Sequence, residues 1–191
     1  AVRPQLQSLV IVDNGSTGFD FEALRSTISF ELIALGENYG IAHAQNIGID
    51  RARRLEASHV LLLDQDSVPA PGMMHELLAA LRQLESKGLQ VAGVGPSYMD
   101  HRQGEAAPFV YLEGLRLKRR AMSSKGSVEA DFLIASGCLS PMKSFDAVGT
   151  MVEELFIDYV DIEWGLRARE KGYRSYGVFS ARMDHSLGDE W

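Results

Sequence analysis

Asp64 and Asp66 stand two residues apart directly after the apolar run Val60-Leu61-Leu62-Leu63, and Ser67 follows them. Four apolar residues ending in carboxylates read as a buried strand running into a turn. In an open α/β sheet, ligands bind beyond the carboxyl ends of the strands. Two hard carboxylate donors and a hydroxyl at such a point suit a divalent cation such as Mg or Mn, which in turn holds phosphate oxygens. The chemistry this serves is the departure of a diphosphate. The competing reading is that the aspartates only cap the turn ahead of Pro69, Pro71 and Gly72.

Two further acidic positions fall at structural transitions. Asp13 closes the apolar run Leu9-Val10-Ile11-Val12. Asp161 and Glu163 open a helical stretch whose later turns carry Arg167, Arg169 and Lys171, with Gly172 as a stop. That charge order matches the helix dipole. Asp161 therefore reads in one of two ways. It is an N-cap that stabilises the helix by about 1 kcal/mol. Or it is a general base for an acceptor hydroxyl, held and partly desolvated beside Tyr159 and Trp164.

The elements that must position these groups follow from periodicity. Residues 8–13 read as a strand, 21–28 as a short helix and 29–35 as a second strand. Residues 41–55 place Ile41, Ala44, Gly48, Ala52 and Leu55 on one helical face. A strand at 59–64 follows, then a helix with the stripe Met74, Leu77, Leu78, Leu81 and Leu84, stopped by Gly88. Residues 90–95 read as another strand. This alternation implies right-handed parallel βαβ units. The stretch 97–127 is less regular, and its basic cluster Arg116, Lys118, Arg119 and Arg120 reads more readily as a solvated hairpin or loop than as a phosphate site. Residues 128–136 read as a strand entering a Gly137-Cys138 turn, 143–148 as one or two helical turns, 161–171 as a helix and 173–179 as a final strand.

A chain of 191 residues suits a single domain with one substantial core. Its net charge of −7 argues against a nucleic-acid-binding surface. A nucleotide substrate stays open, because a bound cation neutralises a diphosphate locally. Cys138 is the single cysteine, which excludes an intrachain disulfide and a cysteine zinc cluster and fits a reducing compartment. No apolar run approaches the ~20 residues of a membrane span, and no signal-peptide pattern opens the chain. The start at Ala1 and the end at Trp191 read as those of a piece of a longer protein.

Four segments in order carry a resemblance. They are Leu9-Val10-Ile11-Val12-Asp13-Asn14-Gly15-Ser16, Gly36-Glu37-Asn38-Tyr39-Gly40 continuing through Asn46 to Gly48, Leu63-Asp64-Gln65-Asp66-Ser67, and Phe156-Ile157-Asp158-Tyr159-Val160-Asp161-Ile162-Glu163-Trp164. The chain resembles family 2 glycosyltransferases along nearly its whole length, and in particular bacterial rhamnosyltransferases of O-antigen and related polysaccharide synthesis. The resemblance implies a GT-A fold, an α/β architecture with a Rossmann-like, mostly parallel sheet flanked by helices. It implies one domain over residues 1–191, with a nucleotide-binding half at 1–96 and an acceptor and catalytic half at 97–191. It implies inverting, metal-dependent transfer of a sugar, rhamnose from dTDP-rhamnose being the expected case, with Mg or Mn as cofactor.

By motif match, Asp13, Asn14, Asn38, Gly40 and Asn46 resemble the residues that line the nucleotide, joined by Asp64. Asp64 and Asp66 resemble the family's Asp-x-Asp pair, Asp66 as the direct metal ligand. Asp161 resembles the catalytic base and Glu163 takes the second acidic position. Val160 stands where the family often has Glu, which leaves Asp158 as an alternative base. His185 resembles a downstream histidine that completes the metal or diphosphate site. The family's first strand has no counterpart ahead of residue 8, so the resemblance implies an unpaired place in the sheet, a site for homodimer contact. The implied partners are a dTDP- or UDP-sugar and a glycan or lipid-linked acceptor. The implied location is the cytoplasm, at the inner membrane face through peripheral association of the full-length protein. Two rival classes remain: a non-catalytic nucleotide-sugar-binding module, and a phosphatase using its first Asp as nucleophile. Val68 stands where the phosphatase pattern needs Thr.

Overall fold

The computed structural model of the chain describes residues 6–100, 105–114, 116–120, 123 and 126–185, with the backbone alone at 99, 100, 105, 106 and 185. The strands are β1 (Val10–Asp13), β2 (Glu31–Ala34), β3 (His59–Leu61), β4 (Ser67–Pro69), β5 (Val91–Asp100), β6 (Glu105–Ala106), β7 (Val110–Glu113), β8 (Arg116–Arg119), β9 (Ser127–Ala130), β10 (Leu139–Pro141) and β11 (Arg174–His185). The helices are α1 (Phe21–Arg25), α2 (Ile41–Arg54), α3 (Met73–Ser86), α4 (Met142–Val148) and α5 (Val160–Glu170).

The central sheet runs in the order β3-β10-β5-β11-β4. Its longest pairing, β5 with β11, is parallel, and its flanking pairings are antiparallel. β6 extends β5 and β9 extends β11. β1 and β2 form a separate parallel pair. Among the described residues β1 pairs only with β2 and β3 only with β10. Helix α2 spans both sheets. Its Gly48 sits over Val12 of β1, and its Ile49 is buried in one cluster with Val60 of β3.

The apolar stripes explain the layers. Met73, Leu77, Leu81 and Leu84 of α3 meet Val91, Val94, Val178 and Met183 on one face of the sheet. Ala42 and Ile49 of α2, Phe145 and Val148 of α4, and Val160 and Trp164 of α5 fill the other. Helix α4 is too short to satisfy its own terminal carbonyls, and α5 supplies their donors. Lys171 Nζ donates to the Ala147 and Val148 carbonyls at 3.0 and 3.1 Å. Arg167 donates to the Val148 and Thr150 carbonyls at 2.8 Å each, and Trp164 Nε1 to Gly149 O at 2.7 Å. These contacts anchor the middle and the end of α5 against α4.

Some boundaries differ from those the sequence implied. β3 ends at Leu61 and leaves Leu62, Leu63 and Asp64 in the loop. β5 continues past Gly95 to Asp100 and β11 past Phe179 to His185, each stabilised by the other across a register shift at Val178/Arg182. The expected strand at 128–136 stops at Ala130, where the buried Asp131 carboxylate turns to the Leu112 N–H and to Arg169 (2.8 Å) instead of continuing a ladder. The basic cluster is a hairpin, β7 with β8, and every residue of β8 is exposed. No helix of the described residues is long and apolar enough to cross a membrane.

Candidate active site

The first group of polar residues gathers at the carboxyl end of β1. The Asp13 carboxylate accepts the Ser16 N–H at 3.0 Å, closing the turn after the strand. Asn14 Nδ2 donates to Asn38 Oδ1 at 2.9 Å, and Asn14 Oδ1 accepts the Tyr39 N–H at 2.9 Å. Asn38 Oδ1 also accepts the Gly40 N–H at 2.9 Å. Asp13, Asn14, Asn38 and Gly40, separate in sequence, thus form one constellation at the start of α2. Gly40 has φ +88°, and a Cβ there would lie 2.6 Å from the Phe156 ring. Only glycine suits that conformation and that contact.

Asn46, placed with this group by its motif, is engaged elsewhere. It is buried on α2, and its amide grips Met151 from both sides. Oδ1 accepts the Met151 N–H at 2.8 Å, and Nδ2 donates to Met151 O at 3.0 Å and to Glu153 Oε1 at 2.8 Å. Glu153 Oε2 lies 2.8 Å from His43 Nδ1. Both partners hold the Glu153 carboxyl below its ordinary pKa, the Asn46 hydrogen bond more than that of His43. The Phe156 carbonyl accepts the Ala42 N–H at 3.3 Å. The segment 151–156 is therefore strapped onto α2.

The second group is the turn between β3 and β4. Asp64 is half-buried and Asp66 exposed. The turn is pinned from below by residues 136–138. Leu62 N donates to Cys138 O at 3.1 Å and Gly137 N to Leu62 O at 2.8 Å. Asp64 N donates to Ser136 Oγ at 3.0 Å, and Ser67 Oγ lies 2.6 Å from Ser136 Oγ. Antiparallel pairing of β4 with β11 sets Ser67 opposite His185 and Val68 opposite Asp184. The third donor named from the sequence is thereby brought, by backbone register, to the strand that begins one residue after Asp66. The His185 side chain lies outside the described residues. Among the described side chains no three His, Cys, Asp or Glu groups converge on a common cation position.

The third group is the start of α5. The helix begins at Val160, with Tyr159 at its N-cap in a left-handed conformation, φ +65°. Asp161 is therefore not the cap and lies within the first turn. Its Oδ1 accepts the Ile162 N–H at 2.8 Å. Burial raises its pKa above the ordinary carboxylate value, opposed by hydrogen bonds from the backbone of Ile162 and Ala135. The cause is visible in its surroundings: Asp161 lines a cavity of about 20 Å³ with Leu62, Phe145, Met151 and Trp164. Asp158, three residues earlier, is exposed. Glu163 is committed to a forked pair with Arg167, at 2.7 and 2.8 Å.

One segment joins the second and third groups. Ala135 contacts the Asp161 carboxylate, and Ser136 beside it holds the turn of Asp64 and Ser67. Cys138 also lies here, but burial pushes its thiol up to about 11, so it is protonated at neutral pH and is no nucleophile. Ser136 carries no signal in the sequence alone, and Arg167 reads there only as a charge matched to the helix dipole. A lone serine and a helical arginine become informative only once their distant partners are known.

Comparison with known proteins bears on the family and the fold. The sequence profile of glycosyl transferase family 2 matches residues 3–149. The chain is 32% identical over 185 residues to dTDP-rhamnosyl transferase RfbF of Shigella flexneri, covering 95% of this chain and 60% of that protein. It thus spans about 60% of the length of that curated relative. Among solved structures it superposes on GalNAc-T7, crystallised with UDP, GalNAc and Mn2+, with a TM-score of 0.75 at 15% identity, over 98% of this chain and 39% of that one. It superposes on TarS of S. aureus with a TM-score of 0.64 at 14% identity, over 94% of this chain and 31% of that one. The architecture is the GT-A fold.

Proposed function

The chain belongs to glycosyl transferase family 2, and on that premise we propose that it transfers a sugar with inversion from a nucleoside-diphosphate donor to a saccharide or lipid-linked acceptor. The observation that supports this reading is the 135–138 segment, which contacts both the Asp64–Asp66 turn and the partly buried carboxylate of Asp161. A dTDP-rhamnose donor is supported by the name of the S. flexneri relative. Cell-surface polysaccharide synthesis is the setting that the resemblance implies.

In this mechanism Asp13, Asn14, Asn38 and Gly40 receive the nucleoside. Asp64 and Asp66, with His185 on the paired strand, would hold a divalent cation. The chemistry of the two carboxylates fits one: both are hard oxygen donors, and Asp66 is at the surface. Mg or Mn bound there offsets the negative charge of the departing nucleoside diphosphate. Asp161 accepts the proton of the attacking hydroxyl. The new bond joins that oxygen to the anomeric carbon, and the bond from the anomeric carbon to the diphosphate oxygen breaks. A base needs a pKa close to the working pH, and burial moves Asp161 in that direction. Exposed Asp158 lacks that environment. The fork with Arg167 makes Glu163 a support of the helix that presents Asp161.

The test is transfer of radiolabelled rhamnose from dTDP-rhamnose to lipid-linked acceptors. Asp161→Asn abolishes transfer and leaves donor affinity within about twofold, whereas Asp66→Ala abolishes both transfer and cation-dependent donor binding. Wild-type turnover in Asp161→Asn would overturn the base assignment. Donor binding without transfer across a panel of acceptors would favour a non-catalytic nucleotide-sugar-binding module.

A further inference from the structure

Ser136 sits beneath the proposed cation site without reaching it. It is 1% exposed, and its hydroxyl has two partners on the opposing turn, the Asp64 N–H and the Ser67 hydroxyl. Its own place is not adjustable. On one side, Cys138 N donates to Ala135 O at 3.0 Å, which closes a tight turn around it. On the other, Gly137 has φ +79°, and a Cβ there would lie 2.7 Å from Pro96 and 3.0 Å from the Met183 sulfur. Above it, β3 ends at Leu61 and β4 begins at Ser67, and the turn between them is bonded to residues 136–138 through Leu62 and Asp64. A rigid hydroxyl therefore sets the path of a loop that carries both aspartates.

We propose that Ser136 is the positioning residue of the Asp64–Asp66 turn, aiming its carboxylates at a divalent cation while its neighbour Ala135 holds Asp161 at a fixed separation. The inference rests on the transferase reading of the site. Ser136 touches neither donor nor acceptor and acts through Asp64 and Ser67. Groups that orient metal ligands in this way typically matter by 10–100-fold in metal affinity or activity.

The experiment titrates Mn2+ into the protein at saturating dTDP, for wild type, Ser136→Ala and Ser67→Ala, alongside thermal melting and transfer rates. Ser136→Ala is expected to weaken Mn2+ affinity about 10-fold or more. Its dTDP affinity in EDTA stays unchanged, since Asn14 and Asn38 are untouched. The pH midpoint of transfer also stays, since Asp161 keeps its surroundings. Ser67→Ala removes the same hydroxyl contact from the other side and keeps the inference refutable if Ser136→Ala does not fold: Mn2+ affinity within twofold of wild type there excludes both positioning through the serine pair and ligation by the Ser67 hydroxyl. A Ser136→Ala or Ser67→Ala protein that melts lower but binds Mn2+ within twofold of wild type would make the serine pair merely structural and overturn the inference. A wild-type protein that binds no Mn2+ would overturn the transferase reading of this site, and the inference with it.

Discussion

Replacing Asn46 with Ala removes a buried clamp, and its cost follows from the contacts. The side chain satisfies both backbone groups of Met151, donating to its carbonyl and accepting from its N–H. Asn46 is 8% exposed and Met151 7%, so water does not readily replace either bond. A buried polar group left without its partner costs about 1–3 kcal/mol. Two such groups give about 2–6 kcal/mol. The third bond, to Glu153, adds little because that carboxylate is 48% exposed. With a urea m-value of about 2 kcal/mol/M, the unfolding midpoint falls by about 1–3 M at unchanged m. Asn46→Asp sharpens the test. It keeps an acceptor for the Met151 N–H but turns a carboxylate oxygen toward the Met151 carbonyl and Glu153. It is therefore at least as destabilising at neutral pH, and because burial beside a carbonyl and Glu153 raises the new carboxyl's pKa, partial recovery sets in as pH falls toward about 4 and is complete there. Affinity for dTDP stays near wild type in both folded variants. A midpoint shift below about 0.3 M together with loss of nucleotide affinity would refute this reasoning and make Asn46 a nucleotide contact.

Asp161→Asn should also change how stability depends on pH. Burial raises the folded-state pKa of Asp161 above its ordinary value of 3.8, so its stabilising contribution is complete below pH 3.8 and is lost as pH rises through the folded-state value. The variant therefore equals or exceeds wild type in stability at pH 7, with the gap closing toward pH 3.8; a wild type more stable at pH 7 by a margin constant with pH would contradict this. Cys138, its thiol pushed up to about 11 by burial, should resist a disulfide reagent at pH 8 in the native protein and react only after urea unfolding; rapid native labelling would show that the segment beneath the site opens.

What could be read in advance was local in origin. The helices α2, α3 and α5 follow from apolar stripes and stop signals that each lie within one segment. The Asp64–Asp66 pair was visible because a strand-like run ends beside it. The long pairings were less legible. Gly95-Pro96 looks like a strand end, yet β5 continues because β11 runs beside it. Residues 128–136 look like one strand, yet a buried Asp131 takes partners on β7 and α5. The site shows the same division. Asp13, Asn14, Asn38 and Gly40 are short motif residues, and the fold gathers them. Asn46 and Met151 are 105 positions apart, and Ser67 and Ser136 are 69 apart. A helical asparagine or a lone serine carries no mark of such a partner. Asp161 looked like an N-cap because α5 was expected to begin at that residue. The left-handed Tyr159 starts the helix earlier and turns the carboxylate inward.

The central claim is that the Asp64–Asp66 turn holds a cation that holds the donor diphosphate. Isothermal titration of dTDP into wild type and Asp66→Ala, with Mn2+ and then with EDTA, tests it most directly. Binding to wild type should weaken at least tenfold on chelation, and binding to Asp66→Ala should be already weak and indifferent to EDTA. Equal affinity in all four conditions would contradict it.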